Sequence, residues 1–338
     1  MSIHVLTPGL LSTVQDAGRP GHADIGMGRA GAADAVAWRL ANALVGNHAG
    51  EAALEFTLAG PSLRFEQAVT IALTGALPDA QADGQPLPGW TSCHLPAGST
   101  LRLGPLRQGC RGYLAVRGGI DAAPVLGSRS TDLHAALGGH HGRALRGGDR
   151  LAIGPCEPAA WWPRHAGIVA LRWRLDPRPW FDAVATEAAP CVLALLPGTH
   201  ANALDEDASA RLFAQTFRLS SAGDRTGCRL DGHALSLRAP LELVSEPALP
   251  GTVQLPPSGQ PIVLMAEAPV TGGYPRIGQL AAVELPRLAQ RRPGDALCFR
   301  PCTHQQALAR LDARERRLRR VLDAVARRLA NEAREGGT

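Results

Sequence analysis

The chain contains no lysine, so all 35 of its basic residues are arginines. A Walker-type phosphate loop, a Schiff base and covalently attached biotin each require a lysine, and the sequence therefore excludes all three from this chain. Aromatic residues make up only 4% of the sequence, which leaves few side chains on which the bases of a single strand could stack. Any nucleotide would have to be held by arginine, by backbone amides or by another polypeptide.

The sequence also has no apolar run long enough to span a membrane, and its first residues lack the basic and apolar regions of a secretory leader. Its 7 cysteines are an odd number and include no C-x-x-C pair, which argues against a disulfide framework and a zinc ribbon. The closest pair, Cys298 and Cys302, is interpreted as two small apolar residues. We therefore predict a cytoplasmic protein without a metal site.

The positive charge is confined to one end of the chain. Residues 310–334 hold 9 arginines and 4 acidic residues, whereas the rest of the chain balances 26 arginines against 26 acidic residues. The net charge of +5 therefore belongs to the C-terminal segment alone. A nucleic-acid-binding surface is not indicated, and packing of the apolar side of this segment is favoured over a membrane-surface role.

Most of the chain consists of short apolar runs bordered by glycine and proline, which number 38 and 27. Runs such as residues 69–75 and 191–197 have the length and the turn-rich borders of β-strands. Turn-then-strand phrases also recur in the two halves, and the Pro- and Trp-rich residues 154–167 form a candidate boundary between them. The pattern predicts a mainly β protein with a few helices.

Two helices are predicted. Residues 34–45 begin at Asp34, a good N-cap, and place Val36, Leu40 and Leu44 on one face. The second helix begins near Thr303, which can form a capping box with Gln306. Its apolar stripe comprises Leu308, Leu311, Leu318, Val321, Leu322, Val325 and Leu329.

Residues 26–31 read G-M-G-R-A-G and match the G-x-G-x-x-G fingerprint of a dinucleotide-binding turn. That fingerprint functions only where a buried strand leads to the first glycine and a helix follows the third. The residues before Gly26 form a Gly-Arg-Pro-Gly turn at 18–21 instead of an apolar strand. The match is therefore interpreted as accidental.

Polar residues able to do chemistry fall in five loops, at residues 12–21, 127–132, 223–230, 244–261 and 270–278. In the same order, these loops resemble the signature stretches of the biotin-dependent carboxyltransferase family. Its members are also called the C subunit of 5-oxoprolinase, the second subunit of allophanate hydrolase or KipA-like proteins. The resemblance extends from about Ile3 to the start of the last helix.

The resemblance implies two cyclophilin-like β-barrel halves related by pseudo-symmetry, which we expect at residues 1–160 and 161–302, followed by an Arg-rich helix at 303–338. It also implies assembly with a KipI-like partner, the B subunit of such enzymes, and with a third subunit, in the ATP-dependent opening of 5-oxoproline to glutamate. Other relatives form the carboxyltransferase region of urea carboxylase, where carboxybiotin is the donor.

Gln15, Asp16 and Arg19 match the family phrase T-x-Q-D-x-G-R-P-G. The aspartate and the arginine either brace the Gly-Arg-Pro-Gly turn, or the amide and the guanidinium recognise a carboxylate or amide substrate. Both interpretations remain open. Asp34 matches a family aspartate and is expected to cap the first helix and to contribute to the polar wall of the site.

Residues 127–132 read G-S-R-S-T-D and precede L-H-A-A-L-G-G. Ser130 or Thr131 could serve only as an N-cap, which needs a single hydroxyl. The loop offers Ser128, Arg129, Ser130 and Thr131 together, and we therefore favour a bound anion at a helix N-terminus.

In the second half, Arg225 and Arg229 match family arginines and either brace a strand end or contact a ligand. Gln254 and Gln260 match the family phrases S-E-x-x-x-P-G-x-x-Q and G-Q-P. Glu246 belongs to the first of these phrases and, on the expectation that it pairs with a buried apolar strand, is the first choice for proton transfer.

The sequence departs from the family pattern at residues 266–275. Glu267, Pro269 and Val270 stand where relatives carry Asp, Gln and Thr, whereas Thr271 and Tyr274 still match. If this loop lines the reaction centre, the lost amide and hydroxyl alter the activity; if it only packs, the changes are harmless.

The sequence therefore predicts the C subunit of an ATP-dependent 5-oxoprolinase, active in a complex, with Glu246 or Asp16 moving protons. ATP, with Mg²⁺ where required, would be shared with the partner subunits. The first alternative is carboxyl transfer to a urea-like substrate from carboxybiotin on a separate carrier. The second is a non-catalytic KipA-like regulator that binds a KipI-like inhibitor.

Overall fold

The computed structural model describes residues 2–162, 167–181 and 189–335. Its described residues form four α-helices: α1 Ala35–Leu44, α2 Glu206–Ala214, α3 Leu285–Ala289 and α4 His304–Glu335. Single turns of 3₁₀ helix lie at Ala23–Ile25, Ala201–Ala203 and Ala282–Glu284. Among the described helices, none is both long and apolar enough to cross a bilayer.

Contacts between Cα atoms divide the chain into two compact units. The described part of residues 1–19, 34–182 and 317–338 forms the first unit, and that of residues 20–33 and 183–316 forms the second. The strands of the first unit are β1 Ser2–Thr7, β2 Leu11–Gln15, β3 Ala53–Thr57, β4 Ser62–Phe65, β5 Val69–Gly75, β6 Pro78–Ala82, β7 Gln85–Pro86, β8 Ser92–Leu95, β9 Thr100–Leu106, β10 Arg111–Val116, β11 Ile120–Asp121, β12 Arg150–Ile153 and β13 Val169–Ala170.

The strands of the second unit are β14 Cys191–Pro197, β15 Phe217–Leu219, β16 Gly227–Asp231, β17 Glu246–Pro247, β18 Thr252–Gln254, β19 Ile262–Leu264, β20 Thr271–Gly272, β21 Arg276–Leu280 and β22 Ala296–Pro301. Seven of them close into a barrel in the order β14-β21-β18-β19-β16-β15-β22. Its interior is packed with aliphatic side chains and with Phe217 and Phe299, whose ring centroids are 5.6 Å apart. β17 and β20 pair separately as a two-stranded sheet.

The first unit contains two sheets that share one apolar core. The larger has the order β11-β12-β1-β4-β9-β6-β7, and the smaller has the order β13-β8-β5-β10-β3-β2. Ile3 and Leu63 of the larger sheet and Leu73 and Leu114 of the smaller one belong to the same buried cluster. All residues of β5 and β10 are buried, and α1 packs on these two strands. Both strands are mainly apolar because they are covered on both faces.

The predicted helices are confirmed at both N-termini. The Asp34 carboxylate accepts a hydrogen bond from Ala37 N at 3.0 Å, and Val36, Leu40 and Leu44 are buried. Thr303 and Gln306 form the reciprocal capping box, with Thr303 N donating to Gln306 Oε1 at 3.0 Å and Gln306 N donating to Thr303 Oγ1 at 3.2 Å.

The mainly β fold with a C-terminal helix is confirmed, although only the second unit contains a closed barrel among the described residues. The chain is also divided differently from the expected ranges 1–160 and 161–302. β13 pairs with β8, so that strand pairing in the first unit continues past residue 160, and residues 20–33 group with the second unit. Pairing between distant strands sets these boundaries, and local composition does not reveal it.

Replacing Thr303 by alanine should destabilise the start of α4 by about 1 kcal/mol, because Gln306 N loses its only side-chain acceptor in the capping box. The free energy of unfolding in urea measures this loss. Thr303→Ser keeps the hydroxyl and is the matched control, and equal stability of the two variants would contradict the cap assignment.

Candidate functional site

The Asp16 carboxylate is the centre of a buried polar cluster in the first unit. Oδ1 accepts from Gly18 N at 2.8 Å, from Ser128 Oγ at 2.6 Å and from Ser130 Oγ at 2.5 Å. Oδ2 accepts from Arg129 N at 2.6 Å. Asp16 N donates in turn to Ser130 Oγ at 2.9 Å. The carboxylate is 6% exposed, so the cluster ties two distant loops together away from solvent.

This geometry changes the interpretation of the loop that follows residue 127. Asp132 Oδ1 accepts from Ala135 N at 2.9 Å and closes a turn, and no α-helix begins between Thr131 and Gly139 in this described stretch. The expected anion site at a helix N-terminus is therefore wrong. The hydroxyls of Ser128 and Ser130 are instead directed at Asp16.

Three polar atoms in the same cluster have no hydrogen-bond partner: Gln15 Oε1, Arg19 Nη1 and Thr131 Oγ1. All three side chains are at least 99% buried. Arg19 Nη2 donates to Ser130 O, and Gln15 Nε2 donates to Thr131 O at 3.1 Å. Because buried polar atoms are nearly always paired, these three unpaired atoms are unusual in the core of the first unit.

Gly138 and Gly139 cover this cluster closely. A Cβ on Gly138 would lie 2.7 Å from Arg19 Nη2, and one on Gly139 would lie 1.9 Å from Thr131 Oγ1. Both glycines also have positive φ, at 66° and 50°. Only glycine fits both requirements, which explains the G-G at this position.

Asp34 is 1% exposed and belongs to a buried hydrogen-bond network that the sequence did not indicate. Its backbone N donates to Tyr113 Oη at 2.7 Å, and that hydroxyl donates to Glu55 Oε2 at 2.7 Å. Burial, with the nearby Glu55 carboxylate, holds the pKa of Tyr113 well above its usual range, so that the phenol stays protonated as a donor. Asp34 thus caps α1 from within the core.

In the second unit, Glu246 forms an ion pair with Arg276, which also donates from Nη1 to Pro247 O at 2.7 Å. The Glu246 side chain is 39% exposed. It lies on β17, whose partner β20 is a short strand beginning at exposed Thr271, so the expected pairing with a buried apolar strand is wrong. Arg276 was missed because 30 residues separate the two side chains along the chain.

Gln254 lies beside this ion pair. It is 5% exposed, occupies β18 opposite Arg276 on β21, and its Nε2 has no hydrogen-bond partner. A Cβ on Gly272 would lie 2.4 Å from that nitrogen, so the amide of Gln254 reaches the β17-β20 pair. Tyr274 is 45% exposed nearby in sequence. The second unit therefore brings together an accessible carboxylate, a guanidinium and a free amide donor.

Arg225 and Glu267 form a buried ion pair in the second unit. Arg225 Nε is 2.6 Å from Glu267 Oε1, and the side chains are 3% and 2% exposed. Arg225 Nη2 also donates to Gly31 O at 2.7 Å. Glu267 therefore keeps a carboxylate at the altered loop, and the pair anchors the glycine-rich segment. This favours the bracing interpretation of Arg225.

Arg229 and Gln260 lie apart from these contacts. Arg229 is exposed on β16, and Gln260 binds both backbone groups of Gly232, with Oε1 accepting at 3.0 Å and Nε2 donating at 2.9 Å. Gln260 thus stabilises the backbone at Gly232. Their roles toward a substrate stay predictions.

No activated thiol is evident among the cysteines with a resolved shift. Burial raises the pKa of Cys93 to about 12 and also raises the pKa values of Cys156 and Cys298. Each of these thiols therefore stays protonated near neutral pH and is a poor nucleophile. Groups of three potential metal ligands are also absent from the described residues.

Comparison with known proteins identifies similar sequences over almost the whole chain. A family model described as carboxyltransferase domain, subdomain A and B, matches residues 25–301. The chain is 39% identical to the 5-oxoprolinase C subunit of Escherichia coli (strain K12) over 333 residues, which cover 98% of this chain and 99% of that protein. It is 35% identical to the 5-oxoprolinase C subunit of Haemophilus influenzae over 88% of this chain and 90% of that protein.

The fold is also similar to that of solved structures. The Kluyveromyces lactis urea carboxylase superposes with a TM-score of 0.82 and 26% identity, covering 94% of this chain. The chain spans only 29% of that much longer protein. The same part of the fold therefore occurs as a region within a larger enzyme.

Replacing Asp16 by asparagine should lower stability by about 1–3 kcal/mol, because an amide group cannot accept from both Arg129 N and the serine hydroxyls. Thermal unfolding measures the loss, and hydrogen exchange of residues 128–131 should accelerate. Asp24→Asn, at an exposed position, is the matched control. Unchanged exchange in this loop would contradict the assignment.

Replacing Glu267 by glutamine should cost about 3–5 kcal/mol, because it leaves the buried Arg225 cation without its carboxylate. Adding Arg225→Met to this variant should recover part of the loss. Urea unfolding of the wild type, both single variants and the double variant gives the coupling energy, expected to be about 1 kcal/mol or more. Strict additivity would contradict a direct pair.

Proposed function

Because the chain belongs to the carboxyltransferase domain family, subdomain A and B, we propose that it is the C subunit of an ATP-dependent 5-oxoprolinase that opens 5-oxoproline to glutamate. The observation that carries this proposal is the similarity to the Escherichia coli protein of that name, which extends over nearly the full length of both chains. The partners in this proposal are a KipI-like subunit and a third subunit.

The substrate in this proposal carries a carboxylate and a lactam. Amide resonance makes the lactam resistant to attack by water, so the protein must position the ring and stabilise charge on its oxygen. The unpaired Arg19 Nη1 and Thr131 Oγ1 suit the carboxylate or the amide, and the unpaired Gln254 Nε2 suits an oxygen that gains negative charge.

We assign the two candidate carboxylates different roles. Asp16 already accepts four hydrogen bonds and is a positioning residue that orders the loop 128–131. Glu246 is held by Arg276 yet remains 39% exposed, so that it can accept a proton from the water that attacks the lactam. Glu246 therefore carries the proton transfer.

The described residues around the G-x-G-x-x-G match do not fit a phosphate-binding turn. A 3₁₀ turn at Ala23–Ile25 precedes Gly26, and the Asp34 carboxylate occupies the N-terminus of α1, where it would repel phosphate. The sequence also supplies no lysine. We therefore propose that ATP and Mg²⁺ bind on the partner subunits.

The second candidate function is carboxyl transfer to a urea-like amide. The likeness to the Kluyveromyces lactis urea carboxylase structure favours it. Because the chain has no lysine, carboxybiotin would have to arrive on a separate carrier. Transfer of labelled carboxylate from such a carrier, without ATP-dependent glutamate formation, would favour this candidate over the first.

We also propose a cytoplasmic location. All seven cysteines are free thiols, although six of them are at least partly buried. Thiols persist in a reducing compartment, which supports the proposal.

The test combines the purified chain with its KipI-like and third subunits and measures glutamate formed from 5-oxoproline. We expect glutamate only when ATP and all subunits are present. Absence of ATP-dependent glutamate from the full mixture would contradict the proposed function, and a stable complex without turnover would favour the KipA-like regulator.

In the same assay, Glu246→Gln should lower kcat about 100-fold or more, because the amide cannot accept a proton from the attacking water. Glu242→Gln removes a carboxylate from an exposed position four residues away and should leave kcat unchanged. Equal activity of the two variants would contradict the role of Glu246.

A further inference from the structure

A groove of about 540 Å³ lies within the first unit, between one face of α4 and the extended segment 173–175. Its lining includes four arginines: Arg174, Arg317, Arg320 and Arg328. The other lining residues are one tryptophan and four aliphatic residues, and none of the described lining residues is acidic. The groove therefore has an apolar floor and a positively charged rim.

The floor is formed by consecutive turns of one helix face. Val321, Ala324 and Val325 follow the spacing of residues that share a helix face, between Arg317 and Arg328. The helix advances about 16 Å from residue 317 to residue 328. This length corresponds to about three turns of a second helix lying along it.

The part of α4 that lines the groove, from residue 317 onward, belongs to the first unit and packs on it. Leu318 is fully buried in a cluster with Val36, Leu40 and Trp90. Trp173 Nε1 donates to Glu332 Oε1 at 3.0 Å. Packing on the first unit therefore covers only part of the apolar face of α4 that the sequence predicts.

Two of the four arginines are positioned by tryptophan rings. Arg317 Cζ lies 5.2 Å from the ring centroid of Trp180, and Arg328 Cζ lies 5.4 Å from that of Trp173. None of the four arginines forms an ion pair within the part of the chain that the structure describes. Cation–π contacts orient a guanidinium without neutralising it, although the nearby Asp176 carboxylate, whose pKa is lowered mainly by hydrogen bonds from Arg178 and in part by Arg317, offsets some of the charge of Arg317.

We propose that this groove is the docking site for an acidic amphipathic helix of a partner subunit. Aliphatic residues on one face of that helix would cover half-buried Val321 and exposed Ala324, and flanking carboxylates would pair with the arginine rim. This inference rests on the proposed assembly with other subunits, and it assigns the contact surface.

The groove fits a protein helix better than a polyanion. A nucleic acid requires positive charge along its backbone but gains nothing from an aliphatic floor that remains uncovered. Here 26 arginines outside residues 310–334 are balanced by 26 acidic residues, so the charge is local to this helix. An apolar centre with a charged rim is the pattern of a protein–protein contact.

The first test measures binding of a labelled peptide to the full chain by fluorescence anisotropy. The peptide is an amphipathic helix with leucines on one face and glutamates beside them, and a scrambled peptide of equal composition is its control. We expect the amphipathic peptide to bind about tenfold more tightly than the scrambled one. Equal binding, or tighter binding of single-stranded DNA at the groove, would overturn the proposal.

Variants then locate the site. Arg174→Glu with Arg320→Glu should weaken peptide binding about tenfold or more, because both exposed side chains line the groove. Arg316→Glu with Arg327→Glu makes the same change of charge at exposed positions of α4 outside the lining and should leave binding unchanged. Equal weakening by both pairs would show only general charge attraction and overturn the proposal.

The Ala324→Arg variant distinguishes the contribution of the apolar contact to peptide binding from that of charge attraction. It adds positive charge to the rim and blocks the floor, so we expect weaker peptide binding and unchanged or tighter binding of heparin. Tighter peptide binding by this variant would overturn the proposal.

The same variants are then mixed with the KipI-like subunit and with the third subunit. The proposal is supported if Arg174→Glu with Arg320→Glu weakens association with one of these subunits while Arg316→Glu with Arg327→Glu does not. It is overturned if neither subunit binds more weakly to the Arg174→Glu, Arg320→Glu variant. Glutamate formation tests the proposed function separately. If the wild-type chain yields no glutamate but binds the peptide in the groove, the proposed function fails and the groove assignment remains.

Discussion

The buried carboxylate of Asp16 is the interaction on which the first unit's candidate site depends. Three of its four hydrogen bonds join the turn after β2 to the loop 128–131, more than 100 residues later in the chain, and the fourth, from Gly18 N, lies within the turn. That connection places Arg19 and Thr131 in one cluster with unpaired polar atoms. A carboxylate that accepts four hydrogen bonds orders its surroundings, and we propose that proton transfer belongs to Glu246 in the second unit.

The altered loop at residues 266–271 preserves a charge although it loses an amide and a hydroxyl. Glu267 forms a buried pair with Arg225, which holds the carbonyl of Gly31. A buried cation without a partner would cost several kcal/mol, so this position requires a carboxylate. The departure from the family pattern at Glu267 is therefore a conservative change in a structural contact. Nothing in the structure explains Pro269.

The sequence was sufficient for features that depend on neighbouring residues. The cap at Asp34, the capping box at Thr303 and the accidental nature of the glycine fingerprint all follow from local spacing. The resemblance predicted site residues at Gln15, Asp16, Arg19 and the loop 128–131, and in the structure these residues contact one another. The resemblance could not distinguish the role of Asp16 from that of Glu246, because these roles depend on the exposure and the hydrogen bonds of each carboxylate. Arg276 and Tyr113 were missed because their partners are distant along the chain.

The division of roles between the two carboxylates is the central claim. It is tested most directly by comparing kcat and KM for 5-oxoproline in the reconstituted complex carrying Asp16→Asn and in that carrying Glu246→Gln. The proposed division of roles predicts that Asp16→Asn mainly raises KM, because substrate positioning loosens, and that Glu246→Gln mainly lowers kcat. A larger loss of kcat for Asp16→Asn than for Glu246→Gln would contradict it.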